Sequence, residues 1–86
     1  MNSLAEKREQ YAKKLDEAKE RLVQVLSEIP GVERVILFGS YSRGKKDLLT
    51  DLDVLVIMHT NLGFVERLKF LYQSLVLPVD LDLICP

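Results

Sequence analysis

Two short polar stretches in this chain carry residue types suited to phosphate and metal chemistry. The first is Gly39-Ser40-Tyr41-Ser42-Arg43-Gly44, the second Asp51-Leu52-Asp53. Gly39 lets the backbone come close to a phosphate in a tight turn. Ser40 offers a hydroxyl, the N–H groups of a helix opening here favour an anion, and Arg43 can meet a phosphate with a fork of donors. Asp51 and Asp53, two apart on an extended chain, point to one face about 6.6 Å apart at Cα. Two carboxylates held this way repel one another, and a cation between them relieves that cost. Asp80 and Asp82 repeat the spacing near the end of the chain. Hard oxygen ligands of this kind suit Mg²⁺ or Mn²⁺, which also accept phosphate oxygens. Two such ions can serve phosphoryl or nucleotidyl transfer.

Each motif alone is weak. A Gly-Ser pair is more often a plain turn or helix cap, and acids at a strand edge often do no more than stay solvated. The combination is the signal. Val35-Ile36-Leu37-Phe38 leads into Gly39-Ser40, and Val54-Leu55-Val56-Ile57 follows the carboxylates. Both read as buried strands, so the polar groups stand at the ends of rigid elements. No Gly-Lys-Ser/Thr follows Gly39, which excludes a P-loop. Tyr41 and Phe38 flank the turn. For Tyr41, packing is the better reading than base stacking. His59 reads as an exposed, non-catalytic histidine.

The positioning elements follow from periodicity. Ser3-Leu4-Ala5-Glu6 has the form of a capping box. A helix is expected from there to about Ile29, closed by Pro30-Gly31. Tyr11, Leu15, Ala18, Leu22, Val25, Leu26 and Ile29 make its apolar face. At ~1.5 Å per residue it would be about 40 Å long, so its first turns are expected to project. Tyr11, Leu15 and Leu22 are the expected dock for a partner. A short helix at Ser40–Arg43, a polar loop at Lys45-Lys46-Asp47 with solvated charges, and a strand from Leu52 to Met58 come next. A helix carrying Phe64, Leu68, Leu71, Tyr72 and Leu75 follows, then a strand from Val79 to Ile84. The fold class is α/β, a small mixed sheet with packed helices in the order α-β-α-β-α-β. A short connection makes the first two strands antiparallel, and the helix between the second and third permits a parallel crossover. Asp51, Asp53 and Asp80 then converge with the Gly-Ser turn on one edge of the sheet.

Size and composition set bounds. Eighty-six residues make a single domain, a long N-terminal helix over 1–30 and a core over 31–86. The net charge of −1 gives no basic field for duplex nucleic acid. A single cysteine, Cys85, excludes an internal disulfide and a cysteine-based zinc site. No apolar run is long enough to span a membrane, and the N-terminus does not read as a signal peptide. A cytoplasmic protein is expected, and a homo-oligomer is compatible with the sequence.

Gly39-Ser40, ten intervening residues, then Asp51-Leu52-Asp53 resembles the motif of the DNA polymerase beta-like nucleotidyltransferase superfamily. Size and the Gly-Ser-x-x-Arg-Gly form make the chain similar to the minimal nucleotidyltransferases. The resemblance covers about residues 20–86. It implies that Asp51 and Asp53 bind two Mg²⁺ or Mn²⁺ ions and that Gly39 and Ser40 hold the triphosphate of ATP or another NTP. Asp80, in Val79-Asp80-Leu81, matches the third carboxylate, with Asp82 the weaker claimant. Such proteins are commonly paired with a HEPN-domain toxin, whose tyrosine the antitoxin modifies with AMP. The implied function is transfer of a nucleoside monophosphate to a hydroxyl on a partner protein. The alternative is an antitoxin that neutralises a HEPN partner by contact alone. Relatives commonly continue into a further helix, whereas this sequence stops at Ile84-Cys85-Pro86, so a shortened or reduced member is expected.

Overall fold

The computed structural model describes residues 3–86; Met1 and Asn2, the first residues of the expected N-terminal helix segment, lie outside them. The helix α1 runs Leu4–Ser27, and the Ser3 side chain accepts from the Glu6 N–H at 3.2 Å. That satisfies one of the orphan donors of the first turn. Beyond Pro30, Gly31 turns the chain at φ +93, and any Cβ there would collide with the His59 carbonyl. His59 N–H donates to the Gly31 carbonyl at 2.7 Å. His59 itself is exposed.

The remaining elements are β1 (Val32–Phe38), α2 (Gly39–Ser42), β2 (Leu52–Met58), α3 (Phe64–Ser74) and β3 (Leu81–Ile84). The sheet order is β1-β2-β3, with β1 antiparallel and β3 parallel to β2. This is the expected topology. The third strand begins at Leu81, two residues later than its apolar pattern suggests. Before it, the Asp80 carbonyl still accepts from Leu52 N–H at 3.0 Å.

Helices cover one face of the sheet only. Leu15, Ala18, Leu22 and Leu26 of α1 join Leu52, Val54 and Val56 of β2, Leu71 of α3 and Leu83 of β3 in one buried core. Strand side chains alternate between faces, so the alternate set, Ile36, Phe38, Leu55, Ile57 and Ile84, lines the face that no helix covers. The expected α1 stripe is therefore not a dock. Leu15 and Leu22 are fully buried, and Tyr11 packs against the same core. A sheet this small needs the whole stripe to close its covered face. Residues 3–10 of α1 are exposed, and they extend a molecule measuring 50 × 21 × 20 Å.

Candidate nucleotide and metal site

The antiparallel register places Phe38 opposite Asp53. The chain leaves β1 at Phe38 and turns at once into α2, so Gly39 lies against the Asp53 carboxylate. Gly39 has φ +76, and a Cβ there would run into the Asp53 side chain. The glycine is thus required twice, for a left-handed backbone and for room beside a carboxylate. No side chain of the preceding residue caps the start of α2. Arg43 closes that turn, and its charge acts on Asp53.

The parallel register sets Asp82 level with Asp53. Phe38, Asp53 and Asp82 thus form one row across the three strands, on the uncovered face. Asp51 and Asp80 continue the same two lines beyond the strand ends. The Asp53 carboxyl is pushed above its ordinary range by burial, then by the charges of Asp82 and Asp51, with Arg43 offsetting part of the effect. Asp80 is not among these causes. The structure therefore sets Gly39 against Asp53, with the charges of Asp82, Asp51 and Arg43 acting on that carboxyl and Asp80 at the residue before β3.

The expected convergence stops short of a closed cage. Among the described residues, no three acidic, histidine or cysteine side chains stand close enough to hold a cation. Like charges without a counter-ion favour orientations that keep them apart and hydrated. No salt bridge among the described residues neutralises Asp51, Asp53, Asp80 or Asp82; the ion pairs are Lys45–Asp47 and Lys46–Asp16. An uncompensated, oxygen-only donor set on one strand end fits Mg²⁺ or Mn²⁺, whose remaining ligands would be phosphate and water.

Two supporting devices were not visible as such in the sequence. Tyr41 is buried, and its hydroxyl donates to Asp16 Oδ1 of α1 at 2.6 Å. Lys46 Nζ reaches the same carboxylate at 3.1 Å and lies 5.8 Å from the Tyr41 ring centroid. This network ties α2 to α1 and leaves Tyr41 unavailable for base stacking. It also gives Lys46 a partner where only solvation is expected. The second device is a knot before β2. Leu49 N–H donates to Asp47 Oδ1, and Asp47 N–H donates to the hydroxyl of buried Thr50. Tyr11 donates its hydroxyl to the Thr50 carbonyl at 3.1 Å, which fixes the residue preceding Asp51. Tyr11, Leu48, Leu77, Pro78, Val79 and Asp80 line an open cleft of about 520 Å³.

Comparison with known proteins agrees with this fold. The nucleotidyltransferase domain family matches residues 6–84, nearly the whole chain. A solved structure, an inferred nucleotidyltransferase from Sulfolobus solfataricus, is similar with a TM-score of 0.57 and 23% identity. The match covers 99% of this chain and 74% of that one. At that identity the likeness is one of fold. No curated protein matches.

Proposed function

Because the chain belongs to the nucleotidyltransferase domain family, we propose that it moves AMP from ATP to a hydroxyl on a partner protein. The observation that carries this reading is the packing of Gly39 on Asp53, which sets a phosphate turn directly against a carboxylate pair. Asp51 and Asp53 are the residues that would hold Mg²⁺ or Mn²⁺, as two ions when the triphosphate is bound. That cation supplies charge neutralisation and Lewis acidity at the α-phosphate. Gly39 and Ser40 hold the outer phosphates, and Arg43 balances their charge. The acceptor hydroxyl gives its proton to a carboxylate of the third strand, and its oxygen bonds to the α-phosphorus. The bond from that phosphorus to the bridging oxygen breaks, and pyrophosphate leaves with the electron pair. The family pattern gives the proton-accepting role to Asp80; the register with Asp53 favours Asp82.

The partner belongs to the same proposal, as a HEPN-type protein met in the cytoplasm, with this chain as its antitoxin. An exposed apolar patch supports a partner there. Leu48 and Leu49 are exposed, Leu49 at 90%, and with Arg8 and Asp47 they border a second open cleft. That patch also favours a second reading, neutralisation by contact without transfer. Incubation with ATP, Mg²⁺ and the cognate partner, followed by intact mass of the partner, separates the two. Addition of one nucleotide by the wild type and none by Asp51→Ala supports transfer. A tight complex of unchanged mass, with Asp51→Ala neutralising fully, establishes the contact reading.

A further inference from the structure

We propose that Phe38 is the platform on which the base of the bound nucleotide stacks, and that it makes this chain prefer purine triphosphates. The inference rests on the proposed function above. Phe38 shares its row with Asp53 and Asp82, and adjacent strands lie about 4.8 Å apart. Its ring therefore stands beside the carboxylate that faces the reacting phosphorus. It is 37% exposed, with Ile36, 38% exposed, two residues away on the same face. In the next row Ile36 pairs with Leu55, and Leu55 with Ile84. An apolar row thus continues from Phe38 along the uncovered face, next to the carboxylates.

No other aromatic in the described residues can serve. Tyr41 is buried and tied to Asp16, and Tyr11 is tied to Thr50. Phe64, Phe70 and Tyr72 belong to α3, which packs on the other face.

The layout of the site favours the base over the acceptor as occupant. In-line displacement places the attacking hydroxyl and the departing pyrophosphate on opposite sides of the α-phosphorus. The phosphate turn follows directly from Phe38 at the β1 side. The carboxylates that would receive the acceptor's proton, and the cleft beside Asp80, lie at the β3 side. The acceptor is thus assigned to β3; the nucleoside, which lies off the attack axis, is assigned to the exposed Phe38 ring beside Asp53. Aromatic stacking on a base is tolerant of sequence but grows with ring area, hence a purine preference.

Calorimetry on the full chain with Mg²⁺ tests this, using ATP, CTP and inorganic tripolyphosphate as probes. The wild type is expected to bind ATP about tenfold or more tighter than tripolyphosphate, with CTP between them. Phe38→Leu keeps an apolar side chain in place. It should reduce the ATP advantage to within about twofold and leave tripolyphosphate binding unchanged, with Phe38→Tyr restoring the advantage. Equal weakening of ATP and tripolyphosphate by Phe38→Leu would make the residue structural and overturn the inference. An undiminished ATP advantage in Phe38→Leu would place the base elsewhere, with the same result. A wild type that binds ATP and tripolyphosphate equally refutes the stacking alone. A wild type that binds neither refutes the site and this inference with it. A measurement independent of any variant is the fluorescence of ethenoadenosine triphosphate bound to the wild type. Quenching is expected on stacking, and an unquenched bound probe overturns the proposal.

Discussion

At the residue scale, Gly39 and Asp53 are two halves of one contact, and their substitutions should behave oppositely. Gly39→Ala adds a left-handed backbone penalty of about 1–2 kcal/mol and drives a methyl group into the Asp53 carboxylate. The expected result is a lower melting temperature together with loss of triphosphate binding, read by thermal melts and calorimetry. Asp53→Asn removes a charge that its neighbours Asp82 and Asp51 already disfavour. The metal-free protein should melt at the same temperature or higher, while nucleotide transfer is abolished, since sites tuned for function commonly cost stability. A variant that unfolds without metal would mark Asp53 as structural. Asp80→Asn and Asp82→Asn then ask which carboxylate of the third strand takes the proton. The register predicts that Asp82→Asn lowers kcat at least tenfold, in the range usual for loss of a general base, with nucleotide affinity little changed. Asp80→Asn should have the smaller effect. The sequence pattern does not separate them, because Val79-Asp80-Leu81 and Leu81-Asp82-Leu83 have the same form; the resemblance alone favours Asp80. In the structure, the pairing of Leu52 with Leu81 distinguishes them.

At the scale of elements, the phosphate turn is held by a helix that contributes nothing to it directly. Asp16 of α1 accepts from Tyr41 of α2 and pairs with Lys46. Burial, followed by the hydrogen bond to Asp16, pushes the Tyr41 hydroxyl up to about 12. Hydrogen bonds from Tyr41 and Lys46 hold the Asp16 carboxyl below its ordinary value. The signs differ. Because the folded state favours the protonated phenol, its contribution is complete below the ordinary value of 10.0 and fades as pH rises through about 12. Asp16 contributes above its ordinary value of 3.8 and fades as pH falls below it. Urea unfolding of the wild type should therefore show falling stability from about pH 10 upward. Tyr41→Phe, which leaves Asp16 to Lys46 and solvent, should cost ~0.5–1.5 kcal/mol at neutral pH and flatten that decline. The apolar face of α1 was legible because core contacts impose a helical period. The Asp16–Tyr41 link was not, because a polar contact across 25 residues leaves no period to read. For the same reason Lys46 reads as solvated until the fold shows its partner.

At the scale of the whole molecule, one helical layer covers one face of a three-stranded sheet, and the candidate site lies on the other. A domain of this size buries a modest fraction of its surface and has a thin stability margin. Four carboxylates at the starts of two neighbouring strands, with no salt bridge among the described residues to neutralise them, narrow that margin further. Ligands that bind only the folded state should therefore have a large effect on melting. Mg²⁺ with ATP at about one hundred times the dissociation constant adds ~2.7 kcal/mol. For a domain of 60–100 residues each kcal/mol raises the melting temperature by roughly 4–8 °C. A shift on the order of 10 °C is expected with both present. A smaller shift is expected with Mg²⁺ alone, because the carboxylates supply only part of its ligand set and the phosphates the rest. The same melts on Asp51→Ala should show little response to either. A wild-type midpoint that does not move at millimolar Mg²⁺ and ATP would mean that the face carrying Asp51, Asp53 and Asp82 binds no nucleotide, and it would leave the exposed Leu48–Leu49 patch as the functional surface.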